Sequence, residues 1–241
     1  MNSITRSLSM ISLMLVFVVS LNAQQFERSK SSDNDVLNAK TQANLTPKAV
    51  LKDLMDGNER YMNNKLTEHE NIMEEVKQTA SGQYPKAVIL SCIDSRVPVE
   101  YVFDQGVGDI FTARVAGNFV NEDILGSMEF GAKVAGSKLV MVLGHESCGA
   151  VKSAIADVRM GNITPMLEKI QPAVRASEGF KGEKSTKNAD YVAHVCENNV
   201  MLTIENIRER SPILKEMEEN GEIMIVGAVY DLDTGEVELL D

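Results

Sequence analysis

Three side chains that suit zinc binding lie in two short segments of the sequence. Cys92 begins the segment 92–96, which reads CIDSR, and His145 and Cys148 lie in the segment 145–148, which reads HESC. Three protein ligands with a fourth position left open are typical of a catalytic zinc, whereas a structural zinc normally has four. The two segments therefore predict an enzyme that generates hydroxide at neutral pH.

The first segment also supplies a carboxylate and a guanidinium, Asp94 and Arg96. Asp94 has two functional interpretations: it is a fourth zinc ligand, or it pairs with Arg96 and accepts a hydrogen bond from zinc-bound water. The structural interpretation is a surface ion pair, which contributes little to stability. The short separation between Cys92 and Asp94 favours a functional role.

Both segments follow apolar runs that are typical of buried strands. Strands are predicted over 86–91, 109–114, 138–143 and 222–230, with a fifth, edge strand over 236–240. Helices are predicted over 98–104, 122–135, 148–159 and 163–219. This alternation indicates an α/β fold with a central, mostly parallel four-stranded sheet and an added edge strand, flanked by helices. Because ligands bind beyond the carboxyl ends of parallel strands, we expect Cys92 and His145 at one edge of the sheet.

His145 and Cys148 are three residues apart at an expected helix start. This spacing places both side chains on one helix face, or on the approach to the helix and its first turn. A helix N-terminus also favours a thiolate, which is the form of cysteine that binds zinc.

The first residues are typical of a targeting segment. Residues 1–23 combine Arg6 with a short apolar run and end at Ala23. This pattern predicts a secretory signal peptide, and the run is too short for a comfortable membrane span. We therefore expect secretion across the inner membrane into the periplasm, with no stable membrane span after cleavage.

The rest of the chain predicts one domain behind a linker. Residues 24–45 are polar and predict a flexible linker. Thr46 and Pro47 are an N-cap residue and a first-turn proline, and a second helix is predicted over 68–80, so an N-terminal helical arm is expected. The catalytic domain is expected to span 46–241.

Charge and cysteine content exclude several classes of protein. The net charge is −11, and removal of residues 1–23, whose one charged side chain is Arg6, makes it −12. Such a protein repels nucleic acid and anionic lipid, so neither is an expected partner. The three cysteines are odd in number and widely spaced, and no Cys-x-x-Cys is present, so neither a disulfide framework nor a thiol redox protein is indicated. Cys196 is expected to be a buried helix cysteine rather than a ligand.

Three segments in combination resemble the signature of the β-class carbonic anhydrases: 92–98 (CIDSRVP), 114–118 (RVAGN) and 144–150 (GHESCGA). The resemblance covers about residues 48–240. It implies zinc-dependent reversible hydration of carbon dioxide to bicarbonate and a proton, by attack of zinc-bound hydroxide. It also implies one zinc ion per chain and an Asp-Arg catalytic dyad. The residues concerned are the metal ligands Cys92, His145 and Cys148 and the dyad Asp94 and Arg96.

The resemblance also suggests a substrate pocket. Gln83 matches a glutamine that hydrogen-bonds substrate, and Phe111 matches an aromatic residue lining the carbon dioxide pocket. Ala116 stands at a position that is valine in some members, and Phe130 stands where tyrosine is common, so a hydroxyl contact is lost. Gly149 matches a glycine whose backbone amide faces substrate. Without the resemblance, both phenylalanines would be interpreted as ordinary core residues.

Subtype and assembly follow from the same resemblance. One subtype of the family has an allosteric bicarbonate pocket containing tryptophan, and this chain has no tryptophan. It is therefore similar to the plant-like, open-site subtype, in which Asp94 pairs with Arg96 instead of binding zinc. The family's active sites lie at a subunit interface, which implies a homodimer or a homotetramer. The helical arm over 46–80 is expected to embrace the neighbouring subunit.

Two alternatives stay open. A hydrolase of carbonyl sulfide or carbon disulfide on the same scaffold would use the same metal ligands. A non-catalytic bicarbonate-binding or zinc-binding module would be favoured by loss of Asp94 or Arg96, and both are present. No motif places His69 or His194 as a proton shuttle.

Overall fold

The computed structural model describes residues 36–67 and 71–240. The strands are β1 (Ala87–Ser91), β2 (Ile110–Arg114), β3 (Leu139–His145), β4 (Met224–Tyr230) and β5 (Val237–Leu240). The helices are α1 (Ala39–Ala43), α2 (Pro47–Met62), α3 (Ile72–Thr79), α4 (Val99–Val102), α5 (Glu122–Glu129), α6 (Gly149–Ile155), α7 (Ile163–Leu167), α8 (Gln171–Ala176), α9 (Ala189–Arg210) and α10 (Pro212–Glu219). The predicted signal peptide over 1–23 and the first part of the predicted linker lie outside the described residues.

The five strands form one sheet in the order β2-β1-β3-β4-β5. The first four strands are mutually parallel, and β5 pairs with β4 in the antiparallel direction. This topology confirms the predicted four-stranded parallel sheet with an added edge strand. Because β1 and β3 are neighbours, the residues that follow them lie side by side at one edge.

Helices cover both faces of the sheet, which explains why the central strands are apolar throughout. Every residue of β1 is buried. Val88 and Leu90 belong to one apolar cluster together with Val200 of α9. Ile89, which points to the opposite face, belongs to a second cluster with Leu54 of α2. The two clusters anchor the strand that leads to Cys92.

The N-terminal helices differ in part from the prediction. Helix α1 forms inside the stretch expected to be a flexible linker, 24–45, because Asn38 caps it and buried Gln42 donates hydrogen bonds of 2.8 Å to the carbonyls of Pro85 and Ala135. Helix α2 begins at Pro47 after the predicted N-cap, Thr46. It packs on the sheet of its own chain.

The helical stretch predicted over 163–219 is divided into four helices. A short 3-10 turn and a loop follow α8, with Gly182 at a φ of +141°, which L side chains rarely adopt. Ser211 separates α9 from α10, and Pro212 begins α10 because proline cannot continue the hydrogen bonding of the preceding helix. In the described ranges, no helix combines the length and the apolar character that a bilayer span requires.

Candidate metal centre

Two thiols and one imidazole meet at the carboxyl edge of the sheet. Cys92 directly follows β1, His145 is the last residue of β3, and Cys148 precedes the first residue of α6. The two sulfur atoms are 4.0 Å apart, and all three potential ligand atoms lie within 4.8 Å of one another. All three residues are buried. This group could hold one metal ion, and its sulfur and nitrogen donors suit zinc.

The orientation of His145 supports this assignment. Its Nδ1 lies 2.7 Å from the carbonyl oxygen of Glu146. A carbonyl only accepts hydrogen bonds, so Nδ1 carries a proton, and in the neutral ring Nε2 presents a lone pair. In the described part of the chain, Nε2 is a buried atom that has no hydrogen-bond partner. Leaving such an atom unpaired is costly, and a metal ligated through Nε2 would satisfy it.

The two thiols influence each other's ionisation. A hydrogen bond from Cys148 lowers the pKa of Cys92, and burial opposes this effect only in part. Smaller contributions come from His145 and from the backbone amide of Gly117. The contact with Cys92, together with burial, raises the pKa of Cys148. The pair therefore loses its first proton more readily than its second.

A tight turn, and not a shared helix face, joins His145 to Cys148. Glu146 and Ser147 form the connection, and Ser147 has a φ of +50°. Of the two arrangements that the spacing allows, the structure has the one in which the ligands lie on the approach to the helix. The turn re-aims the chain so that the sulfur of Cys148 faces back towards the end of β1.

Asp94 and Arg96 form a bidentate ion pair beside the three ligands. Arg96 Nε is 2.9 Å from Asp94 Oδ1, and Arg96 Nη2 is 2.8 Å from Oδ2. The side-chain hydrogen bonds of Arg96 hold the pKa of Asp94 well below its usual range. Asp94 Oδ2 is also 3.8 Å from His145 Nε2, so the ionised carboxylate borders the ligand cluster.

Further residues that were given no role in the sequence analysis brace the loop of Cys92. Arg114 donates to the carbonyls of Cys92 and Asp94, over 2.9 and 2.6 Å. The backbone amide of Gly117 donates to the sulfur of Cys92 over 3.4 Å. Arg114 and Gly117 stand in the segment 114–118, and the resemblance of that segment to a family signature was the signal that could have identified them.

The expected substrate residues fall into two groups. Ala116 precedes Gly117, and Gly149 follows Cys148, so both adjoin the ligand cluster. Gly149 is exposed, and a Cβ atom there would meet nothing within 4 Å. Gly149 is therefore not required by packing within the chain.

The other three expected substrate residues are separated from Cys92 of their own chain. Gln83 precedes β1, whereas Cys92 follows it, and five residues of strand rise about 17 Å. Phe111 pairs with Val88, near the start of β1, and its ring centroid is 6.4 Å from that of Phe130. One chain therefore does not bring Gln83, Phe111 and Phe130 to its own cluster.

Chemically, the arrangement offers a soft three-ligand site with an ionised hydrogen-bond acceptor at its side. The carboxylate is held by Arg96, so it accepts a hydrogen bond without needing to move. A metal ligand set beside an oriented hydrogen-bond acceptor suits addition of water to a small electrophile.

Comparison with known proteins agrees with these features. The carbonic anhydrase family model matches residues 87–237. Carbonic anhydrase 2 of Mycobacterium tuberculosis is 36% identical over 203 residues, which cover 82% of this chain and 95% of that protein. The carbonic anhydrase of Mycolicibacterium smegmatis is 34% identical over 201 residues, covering 81% and 94%.

Solved structures share the fold. The β-carbonic anhydrase CafA of Aspergillus fumigatus superposes with a TM-score of 0.62 at 25% identity, covering 71% of this chain and 83% of that one. A tetrameric β-carbonic anhydrase of Sordaria macrospora gives 0.61 at 20% identity, covering 79% and 96%. The chain therefore belongs to the β-class carbonic anhydrases.

Proposed function

We propose that the protein catalyses the reversible hydration of carbon dioxide to bicarbonate and a proton, with one zinc ion per chain. The observation that carries the proposal is the buried cluster of Cys92, His145 and Cys148 with the ionised Asp94 at its side. Zinc held by these residues would supply a water molecule with a pKa lowered from 15.7 to about 7.

In this proposal Asp94 orients the attacking water. Its Oδ2 atom, on the side of His145, accepts a hydrogen bond from the water. This hydrogen bond would orient a lone pair of the water oxygen towards the carbon of carbon dioxide. Arg96 keeps Asp94 ionised and prevents its rotation, because both carboxylate oxygens are engaged at once. A carboxylate so engaged by Arg96 is not a metal ligand, in line with the plant-like, open-site subtype.

A second copy of the chain completes the proposed pocket. Gln83, Phe111 and Phe130 are distant from Cys92 of their own chain, and Phe130 is 52% exposed. Helix α3 exposes the apolar side chains of Ile72 and Met73. Burial of these surfaces against a neighbouring subunit would place apolar side chains around the substrate, carbon dioxide, which is itself apolar. We propose a homodimer as the smallest active unit, with a homotetramer as the larger form.

The substrate residues then divide between two subunits. The pocket beside each ligand cluster would be lined by Ala116 and Gly149 of the same chain. It would also be lined by Gln83, Phe111 and Phe130 of the second copy. The proposed place of action is the periplasm, in accord with the signal peptide predicted over residues 1–23.

Parallel assays test which of three candidate substrates the protein converts. Purified zinc-loaded protein is assayed for hydration of carbon dioxide by stopped-flow and for hydrolysis of carbonyl sulfide and carbon disulfide. We expect carbon dioxide to have by far the highest kcat/KM. A higher kcat/KM for either sulfur compound would replace the proposal with a hydrolase, and no turnover of any of the three would indicate a binding module.

A further inference from the structure

One buried amide in helix α9 contacts the loop of the metal centre and has no part in the proposed mechanism. Asn199 is 3% exposed, and its Nδ2 donates a hydrogen bond of 2.8 Å to the carbonyl of Gly117. The contact joins residues that are 82 positions apart in the chain. It is therefore a direct link from the middle of α9 to the loop that contacts Cys92.

Gly117 is held in a conformation that few residues adopt. Its φ is +82°, and a Cβ atom there would lie 2.4 Å from the side chain of Ile170. In this conformation the amide of Gly117 points at the sulfur of Cys92, 3.4 Å away, while its carbonyl points at Asn199. The position of the amide therefore depends on what holds this glycine.

The packing of α9 does not need an amide at this position. The helix is fixed by apolar contacts: the neighbouring Val200 is fully buried and lies so close to the sheet that a Cβ on Gly144 would be 2.6 Å from it. A buried amide is costly unless its hydrogen bonds are made. A polar side chain in this setting points to a role in fixing the loop rather than the helix.

We propose that Asn199 is a positioning residue for the metal-binding thiolate of Cys92. By holding the carbonyl of Gly117, it keeps the amide of Gly117 aimed at the sulfur, where an N–H donor stabilises the thiolate and fixes its direction. Asn199 is not one of the three clustered ligands. The inference rests on the proposed function in one respect, that Cys92 binds zinc.

The test compares two variants of α9. Asn199 lines a cavity of about 160 Å³, so in an alanine variant water could replace the lost donor. Asn199→Leu fills the space and removes the donor. Thr203→Val is the matched control, because Thr203 is one helical turn away, equally buried at 3% and lines the same cavity, with no hydrogen bond to Gly117.

Two readouts separate positioning from a general loss of stability. The first is the rate of zinc release to a chelator, and the second is the thiolate-to-cobalt charge-transfer band of the cobalt-substituted protein. Removal of a residue that orients a metal ligand typically costs 10–100-fold in metal affinity. We expect Asn199→Leu to release zinc at least about tenfold faster and to shift the band, and Thr203→Val to match the wild type in both.

Equal release rates and equal bands for the two variants would overturn the inference. If Asn199→Leu does not fold, the wild-type protein substituted with cadmium-113 provides the test. In its NMR spectrum, the amide proton of Gly117 should show scalar coupling to the metal through the sulfur of Cys92. Absence of that coupling would also overturn the inference. A wild type that binds zinc without hydrating carbon dioxide would refute the proposed function and leave the role of Asn199 standing.

Discussion

Replacement of Asp94 by Asn separates metal binding from catalysis. The two side chains have the same shape, but the amide offers one acceptor where the carboxylate offers two. In the wild type, Arg96 donates a hydrogen bond to each oxygen of Asp94. In the variant, one of these two contacts places an N–H of Arg96 against the NH₂ group of the amide, and two donors do not form a hydrogen bond. With the NH₂ group at the Oδ1 position, the contact with Arg96 Nε is lost. With the NH₂ group at the Oδ2 position, towards His145, the contact with Arg96 Nη2 is lost and the group no longer accepts a hydrogen bond from water.

The size of the expected effect follows from this loss. Misplacement of a reacting group by about 1 Å can cost on the order of 10²-fold in rate. We therefore expect kcat/KM for carbon dioxide hydration to fall at least about 100-fold. Asp94 is not one of the three clustered ligands, so zinc content should be unchanged. The urea midpoint should move little, because Arg96 is more than half exposed.

Stopped-flow hydration, metal analysis and urea unfolding on the same sample check this prediction. Asp56→Asn is the matched control, since Asp56 forms an exposed ion pair with Lys52 on α2, away from the cluster. A kcat/KM within threefold of the wild type would refute the role given to Asp94. Loss of zinc would show instead that Asp94 is a ligand.

Three further predictions concern the ligands, the loop and the fold. Cys148→Ser should lose zinc, whereas Cys196→Ser should retain it, because Cys196 is buried outside the cluster; metal analysis decides. Gly117→Ala should lower the free energy of unfolding by at least about 1–3 kcal/mol, the cost of a strained φ, measured by urea unfolding. Burial raises the pKa of Asp104, but hydrogen bonds from its partners, Arg60 first, outweigh this and lower it. Stability should therefore be lost as pH falls below about 4, and Asp104→Asn should flatten that loss in unfolding experiments from pH 6 to pH 3.

The sheet and the ligand cluster could be predicted because each depends on a local pattern. Apolar runs such as 86–91 are long enough for a buried strand, and neighbouring parallel strands end at one edge. Cys92 and His145 follow two such runs, so their proximity required only that β1 and β3 be neighbours. The sequence left two roles open for Asp94, and the role proposed for it rests on the geometry of the ion pair with Arg96.

The remaining features depend on contacts that no local pattern reveals. The stretch 163–219 has helical composition throughout, and only glycine, proline and tertiary packing decide where it breaks. Helix α1 forms in a polar segment because the side chain of Gln42 donates hydrogen bonds to two backbone carbonyls that are distant in the sequence. The hydrogen bond from Asn199 to Gly117 likewise joins distant segments, and no local sequence pattern around either residue predicts it.

Titration of the metal-free protein with zinc, while carbon dioxide hydration is followed by stopped-flow, tests the central claim most directly. We predict that hydration rises in proportion to bound zinc and stops rising at about one zinc per chain, the stoichiometry of a single three-ligand site. A protein that takes up one zinc per chain and still hydrates carbon dioxide no faster than buffer would contradict the proposed function.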